Sequence, residues 1–202
     1  EITVKPYFRA TKELTLDAKG FDIHSINMGE QALSYQYEDN KLIIQLDRVY
    51  HRTENYTISI DYTAKPNELV TEGGAAITDT KGLYFINPLG KEDKPQQIWT
   101  QGETEFSSCW FPTIDKPNER MTQNIAITVQ NKYTTLSNGL LVKSEQNKDG
   151  TRTDYWEQSL GHAPYLAMMA VGDFNITTDK WRGIDVEYYL EDDFHKHARG
   201  IF

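Results

Sequence analysis

Several segments of the chain alternate between apolar and polar residues with a period of two. In residues 56–62 the even positions are apolar and the odd positions polar, and residues 14–17, 125–130 and 184–190 alternate in the same way. This pattern is typical of strands with one face in a core and the other in water, as in antiparallel sheets. We therefore predict that the following side chains point inward: Ile58, Ile60, Ile125, Ile127, Val129, Ile184 and Val186.

Two denser apolar runs, residues 83–86 and 165–171, are predicted to be strands buried on both faces. The periodicity of the second run also fits a short helix, but its initial Tyr165 and the following Gly172 favour a strand. Turn-forming residues separate the strands at positions 38–40, 87–88, 137–139, 148–150 and 182–183. Short strands divided by such turns predict an all-β fold, an antiparallel β-sandwich of stacked, curved sheets.

The pattern changes after residue 190. Asp192 or Asp193 is expected to cap a helix. An apolar stripe at helical spacing follows, formed by Phe194, Ala198, Ile201 and Phe202. We expect this segment to be the start of an element that belongs to a larger protein.

Charge and cysteine content exclude several classes of function. The 12 Tyr, 8 Phe and 4 Trp are consistent with strands, but the net charge of -9 argues against a nucleic-acid-binding protein. No apolar run approaches the roughly 20 residues that span a bilayer. Cys109 is the only cysteine, so an intrachain disulfide is impossible, and we predict a small buried apolar side chain.

No complete active site can be identified in the sequence. None of the five histidines begins an H-E-x-x-H zinc helix, and His195 and His197 would point in different directions on a helix. There is no G-x-S-x-G nucleophile motif, and Ser107 and Ser108 have no evident base. The sequence leaves open a glycosidase-type active site made of two carboxylates that lie far apart in the chain. We therefore predict no catalytic residue and no metal ligand in this chain.

The segment T-Q-G-E-T-E-F-S-S-C-W-F-P-T-I-D-K-P, residues 100–117, is unusual in composition and spacing. It resembles the signature of the aminopeptidase N and leukotriene hydrolase family of zinc metallopeptidases, in which a T-Q-x-E/Q tetrad precedes F-P-x-x-D-x-P and a basic residue, here Arg120. Weaker matches follow in the expected order, at residues 14–18, 82–84, 136–139 and 165–174. The resemblance covers roughly residues 12–190.

The resemblance implies a saddle-like set of antiparallel sheets that forms the amino-terminal domain of a larger enzyme. Residues 1–191 would be this domain, and residues 192–202 the start of the connection to a catalytic domain. The family's G-x-M-E-N and H-E-x-x-H segments do not occur in the chain. Zinc is therefore expected in the parent enzyme and no cofactor in this chain, which we expect to be inactive by itself.

The resemblance also implies two substrate-binding residues. Gln101 matches the family's glutamine that hydrogen-bonds the substrate backbone, and Glu103 matches the acidic residue that holds the substrate's α-ammonium group. A carboxylate in a water-poor pocket binds an ammonium through charge-assisted hydrogen bonds, which would select peptides with a free amino terminus. Glu105 is the alternative if this assignment is shifted by two residues. Asp115, between Ile114 and Lys116, is expected to stabilise its own turn through side-chain to backbone hydrogen bonds.

Two functions are consistent with the sequence. The first is a non-catalytic domain of a metallo-aminopeptidase, whose partners are its own catalytic domain and a peptide substrate, with neither nucleic acid nor a membrane span. The second is a free-standing β-sandwich module that binds a carbohydrate or a protein, with Trp156 or Trp181 as an exposed platform. Trp99 and Trp110 are expected in a core or a domain interface. The sequence leaves localisation open, between the cytoplasm and export.

Overall fold

The computed structural model describes residues 1–70 and 79–201. These residues form sixteen β-strands, three 3₁₀ turns and two short α-helices. The chain divides into two compact units, which are described separately. Unit 1 comprises Glu1–Tyr84, Gln101–Met121 and His162–Leu166, and unit 2 comprises Phe85–Thr100, Thr122–Gly161 and Ala167–Phe202.

The described residues of unit 1 form two antiparallel sheets. One has the strand order β1-β7-β3-β4 and the other β2-β6-β5. The strands are β1 (Ile2–Val4), β2 (Thr11–Asp17), β3 (Phe21–Met28), β4 (Gln31–Ala32), β5 (Tyr35–Glu38), β6 (Lys41–Tyr50) and β7 (Tyr56–Ala64).

An apolar core lies between the two sheets of unit 1. Leu16, Leu42 and Ile44 come from the β2-β6-β5 sheet, and Ile26 and Ile58 come from the other sheet. All five side chains are buried. Each contributes about 1.5–3 kcal/mol relative to an exposed position. This core holds the end of β2 in place.

Unit 2 contains three sheets. Their strand orders are β10-β13-β12, β11-β14-β9-β8 and β15-β16. The strands are β8 (Leu83–Ile86), β9 (Gln97–Thr100), β10 (Met121–Gln130), β11 (Thr134–Ser137), β12 (Leu140–Gln146), β13 (Thr151–His162), β14 (Met169–Gly172), β15 (Asn175–Trp181) and β16 (Ile184–Leu190). Strands β8, β10 and β13 each extend by one or two residues into unit 1. The helices are α1 (Asp192–His195) and α2 (Ala198–Ile201).

The core of unit 2 combines apolar packing with a buried ionic network. Ile127, Trp156 and Val171 form the apolar part. The Asp154 carboxylate, 3% exposed, accepts hydrogen bonds from Thr135 Oγ1 at 2.7 Å, Ser144 Oγ at 2.6 Å, and Arg152 Nε and Nη2, both at 2.8 Å. These bonds connect β11, β12 and β13.

The alternation read from the sequence is confirmed in β7 and β10. Ile58 is buried and Ile60 packs against the core of unit 1. Ile125, Ile127 and Val129 pack in the core of unit 2, while the residues between them are exposed. The all-β, antiparallel prediction is therefore confirmed.

Three local predictions were wrong. Ile184 is 61% exposed rather than inward, although Val186 on the same face is partly buried. Within residues 165–171 only the end is a strand, because Pro164–Leu166 forms a 3₁₀ turn and β14 begins at Met169. Residues 83–86 do form a strand, but Phe85 is exposed, so the strand is not buried on both faces.

The carboxyl-terminal segment is helical but discontinuous. Glu191, rather than Asp192 or Asp193, is the N-cap residue of α1, and its side chain makes no capping hydrogen bond. The expected stripe is broken because α1 and α2 are separate short helices, with Phe194 exposed and Ala198 buried. The side chain of Ile201, and Phe202, lie outside the described residues. Across the described part of the chain, no helix is both long and apolar enough to cross a membrane.

Replacing Asp154 should destabilise the chain in a pH-dependent manner. Burial raises the pKa of Asp154, but hydrogen bonds from Arg152, Ser144 and Thr135 outweigh it and hold the pKa below its ordinary value. The ionised carboxylate therefore stabilises the fold above the unfolded pKa of about 3.9, and this contribution is lost as the pH falls through the folded pKa. We expect Asp154→Asn to cost about 3 kcal/mol at neutral pH and clearly less in acid.

Urea denaturation of the variant and the unmodified chain at both pH values measures this difference. Asp173→Asn is the control, because the Asp173 carboxylate is exposed in the same unit. An Asp154→Asn penalty that is equal at neutral and acid pH would contradict this account of the network.

Candidate functional site

The sequence motif forms a loop, here called the 101–117 loop, which follows β9. The Gln101 amide donates a hydrogen bond to the Gly82 carbonyl at 2.9 Å. The Phe106 amide donates to the Gly102 carbonyl at 2.9 Å, and a 3₁₀ turn follows at Ser107–Cys109. Backbone hydrogen bonds therefore hold both ends of the segment 101–106, the first part of the loop.

The loop is paired by its main chain with the end of β2. Asp17 and Thr113 form an antiparallel bridge, in which the Asp17 amide donates to Thr113 O at 2.7 Å and the Thr113 amide donates to Asp17 O at 3.1 Å. The Lys19 amide donates to Ser108 O at 2.8 Å. The core of unit 1 thus fixes the position of the loop.

Side chains add two further connections. The buried Asp115 carboxylate accepts a hydrogen bond from the Ser108 amide at 2.9 Å, while the Asp115 amide donates to Asp17 Oδ2 at 3.0 Å. Ser107 Oγ donates to the Pro164 carbonyl at 2.8 Å. Burial raises the pKa of Asp115. The predicted side-chain to backbone bond of Asp115 exists, although it reaches seven residues upstream instead of closing the local turn.

Two glycines allow the loop to pack closely. Gly82 has a φ of +70°, and a Cβ placed on it would lie 2.0 Å from the Phe106 carbonyl oxygen. A Cβ on Gly102 would lie 2.5 Å from Ser107 Oγ and 2.6 Å from the Tyr165 carbonyl oxygen. Gly102 is the residue between the two predicted substrate-binding positions, so their backbone is tightly confined.

The two predicted residues flank Gly102 in this packed segment. Gln101 is partly buried and Glu103 is exposed, and the peptide bond between Glu103 and Thr104 is cis. Across residues 1–70 and 79–201, no protein group forms an ion pair or hydrogen bond with the Glu103 carboxylate. A solvent-exposed carboxylate on a confined backbone can bind a cation with little loss of conformational entropy.

Glu105 has a different environment. Its carboxylate forms an ion pair with Lys116 Nζ at 2.7 Å. Its carbonyl accepts a hydrogen bond from Lys19 Nζ at 2.7 Å, and Lys19 also lies 5.0 Å from the centre of the Phe106 ring. The sequence-based interpretation did not identify Lys19 or Lys116 as partners of the loop. Lys116 is eleven residues from Glu105 and lies within the motif, so the motif could have indicated it as a partner. Nothing in the sequence indicates that Lys19 contacts the loop.

The described residues do not provide a metal centre. They contain no group of three or more histidine, cysteine, aspartate or glutamate side chains arranged to hold an ion. His195, one of the two neighbouring histidines, belongs to no such group, and its Nδ1 lies within hydrogen-bond distance of Thr177 Oγ1, at 3.2 Å. Cys109 is buried, as predicted, and burial raises the pKa of its thiol to about 11. A protonated, enclosed thiol is a poor nucleophile.

Trp156, Trp181 and Trp110 lie in three different environments. Trp156 is 7% exposed and its Nε1 donates to Thr135 Oγ1 at 3.1 Å, so its predicted role as an exposed platform is wrong. Trp181 is exposed, with the Arg182 guanidinium 4.5 Å from the ring centre. Trp110 is partly buried and packs edge-on against Phe111, with ring centres 4.5 Å apart.

Comparison with known proteins identifies the family. The sequence model of the Peptidase M1 N-terminal domain matches residues 1–166. The chain therefore belongs to the peptidase M1 family, the zinc aminopeptidases, and contains the β-rich amino-terminal domain of that family.

Individual relatives are distant in sequence. The chain is 24% identical over 176 residues to the Tricorn protease-interacting factor F2 of Thermoplasma acidophilum, and 20% identical over 197 residues to Leucine aminopeptidase 2 of Vanderwaltozyma polyspora. These alignments cover 87% and 93% of the chain. They cover only 20% and 29% of the two relatives.

The fold is shared with solved structures. A two-domain M1 zinc metallopeptidase bound to L-tryptophan superposes with a TM-score of 0.75 at 17% identity. The alignment covers 93% of this chain and 41% of that structure. The chain thus spans less than half of the relatives that it matches.

Gly102→Ala should disturb the candidate site only by steric conflict, because it adds a methyl group to a tightly packed backbone. The added Cβ would displace Ser107 or the Tyr165 backbone, and such overpacking costs about 1–3 kcal/mol. Gly200→Ala is a suitable control, because a Cβ at Gly200 meets nothing within 4 Å and alanine favours the helix. Thermal unfolding should show a lower midpoint for Gly102→Ala only. Equal midpoints would indicate that the loop is packed less tightly than described.

Proposed function

We propose that this chain is the amino-terminal domain of a zinc-dependent aminopeptidase, and that in the intact enzyme it contributes Gln101 and Glu103 to binding the substrate's amino terminus. The observation that carries this proposal is the environment of Glu103. Its carboxylate is exposed and unpaired among the described residues, on a segment confined by Gly102 and anchored to β2.

The contrast with Glu105 supports the choice of Glu103. The positive charge of Lys116 already compensates Glu105, so binding a substrate ammonium there would require breaking an existing ion pair. None of the described residues pairs with the Glu103 carboxylate, so binding an ammonium there breaks no ion pair among them. An α-ammonium group has three N–H donors and a full positive charge, and a carboxylate that accepts from it forms a charge-assisted hydrogen bond. Once water is excluded, this interaction would distinguish a free amino terminus from an internal peptide bond.

Gln101 would act as an orienting residue. Its side-chain amide offers both a donor and acceptors, which match the N–H and C=O groups of a peptide backbone. Its main chain is fixed by the hydrogen bond to Gly82. We propose that the amide holds the first residues of the peptide extended while Glu103 holds the ammonium.

The zinc ion of the family would be held outside this chain. The described residues do not fit a zinc site, and the sequence has no H-E-x-x-H helix. We propose that residues 192–202 lead to the domain that holds the metal, with the boundary between residues 191 and 192. When bound there, zinc would supply the Lewis acid for peptide hydrolysis.

The purified chain is expected to contain no stoichiometric zinc and to cleave no aminoacyl-nitroanilide. Metal analysis and a turnover assay test this directly. One tightly held zinc ion per chain, or activity that persists through repurification, would mean that the chain is a complete enzyme and that the proposed division of roles is wrong.

In the intact enzyme, Glu103→Ala should lower kcat/KM while zinc content stays unchanged. Loss of a hydrogen bond to a charged group costs about 1.5–3 kcal/mol, which corresponds to about ten- to a hundred-fold in kcat/KM. The loss appears mainly in KM if the ammonium is held equally in the ground and transition states, and also in kcat if it positions the scissile bond.

Glu105→Ala is the matched control, since it removes a carboxylate that is already paired with Lys116. A second measurement is inhibition by a peptide and by its N-acetylated form. The unmodified enzyme should prefer the free peptide, and Glu103→Ala should lose that preference. If Glu105→Ala alone is impaired, the assignment is displaced by two residues. If both variants keep full activity, neither carboxylate binds the substrate.

A further inference from the structure

The β15–β16 hairpin forms a two-stranded sheet within the described part of the chain. Its register is regular along its whole length, from the pair Asn175–Leu190 to the pair Trp181–Ile184. An isolated two-stranded hairpin is only marginally stable in water, because it needs a third strand or another layer against its apolar face.

The two faces of the hairpin differ in character. Because side chains alternate along a strand, the register assigns each residue to one face. The apolar side chains of the first face, here called the hairpin face, are Trp181, Ile184, Val186, Tyr188 and Leu190. The opposite face carries Ile176, Thr178, Lys180, Asp185, Glu187 and Tyr189.

Exposure along the hairpin face increases towards the turn. Val186, Tyr188 and Leu190 are partly buried, whereas Ile184 is 61% exposed and Trp181 is 58% exposed. Trp181 and Ile184 are direct cross-strand partners, so two large apolar side chains form one exposed pair. Neighbouring exposed apolar side chains on one sheet face make this end of the hairpin a candidate interaction surface.

We infer that the hairpin face is the surface on which the remainder of the parent enzyme packs. This inference rests on the proposed function, in which the chain is one domain of a longer protein. The match to the family's amino-terminal domain model ends at residue 166, before the hairpin begins. The chain covers 41% of the matched two-domain structure, so a relative of that length has a second domain available as the occupant.

The distribution of charge favours the same occupant. Within the two strands, Asp179, which pairs with Val186, is the one charged residue of the hairpin face, and in the turn the Arg182 guanidinium lies 4.5 Å from the centre of the Trp181 ring. The opposite face carries the Lys180–Asp185 ion pair at 3.1 Å, as expected of a face in water. An apolar layer from the same polypeptide fits this surface, because covering Trp181 and Ile184 would remove their apolar side chains from water.

Cysteine accessibility in the intact enzyme tests the inference. Ile184→Cys and Ile176→Cys place one thiol on each face of the same hairpin, and the two parent side chains are 61% and 46% exposed in this chain. Site-resolved maleimide labelling by mass spectrometry should show Ile184→Cys reacting at least about ten-fold more slowly, since a covered site reacts only through local opening. In urea the two thiols should react at equal rates.

Three outcomes would overturn the inference. Similar native labelling rates for the two positions would mean that the hairpin face is in water. Protection of Ile184→Cys that increases with protein concentration would identify a second copy as the occupant. Faster labelling of Ile184→Cys would assign the covered face to the Ile176 side. None of these results depends on substrate turnover, so they are independent of the Glu103→Ala result.

Discussion

The main-chain bridge between Asp17 and Thr113 fixes the 101–117 loop to the β2-β6-β5 sheet of unit 1, and the geometry of the candidate site follows from it. Two exchanged hydrogen bonds, with a third from the Lys19 amide to the Ser108 carbonyl, join a long connection to a strand whose Leu16 is fully buried. Each bond contributes about 0.5–1.5 kcal/mol. Without these bonds, a loop of this length would be free to adopt many conformations.

The loop contains three carboxylates in three different environments. Asp115 is buried and accepts a backbone hydrogen bond, and Glu105 is partly buried and paired with Lys116. Only Glu103 combines exposure with a fixed backbone and no partner among the described residues. An overall charge of -9 says nothing about which carboxylate binds a cation, because the local partners of each one decide its function.

The sequence predicts features that depend on local periodicity, and it does not predict those that depend on distant packing. The inward orientation of Ile58 and Ile127 follows from alternation alone. The exposure of Ile184 does not, because alternation identifies an apolar face without showing what covers it. The same limit explains Trp156, where the residue type suggested an exposed platform but Thr135 and the core of unit 2 enclose it.

In the candidate site too, the sequence predicts local features but not contacts between residues that lie far apart in the chain. The motif located Gln101 and Glu103, but it did not indicate that Lys19, more than eighty residues earlier, holds the Glu105 carbonyl. Nor did it indicate that Ser107 bonds to Pro164, fifty-seven residues later. Such pairings arise only once the sheets have formed, and they leave no regular spacing in the sequence.

The bridge at Asp17 and Thr113 also bears on how far the family can diverge. Its bonds are made by amide hydrogens and carbonyl oxygens, which nearly every amino acid supplies. Proline is the exception, because it lacks the amide hydrogen. The two main-chain bonds can therefore be retained while the side chains change, although the Asp17 carboxylate adds one further bond by accepting from the Asp115 amide. This independence from side-chain identity suits a fold that keeps its backbone course at 17% identity to a solved relative.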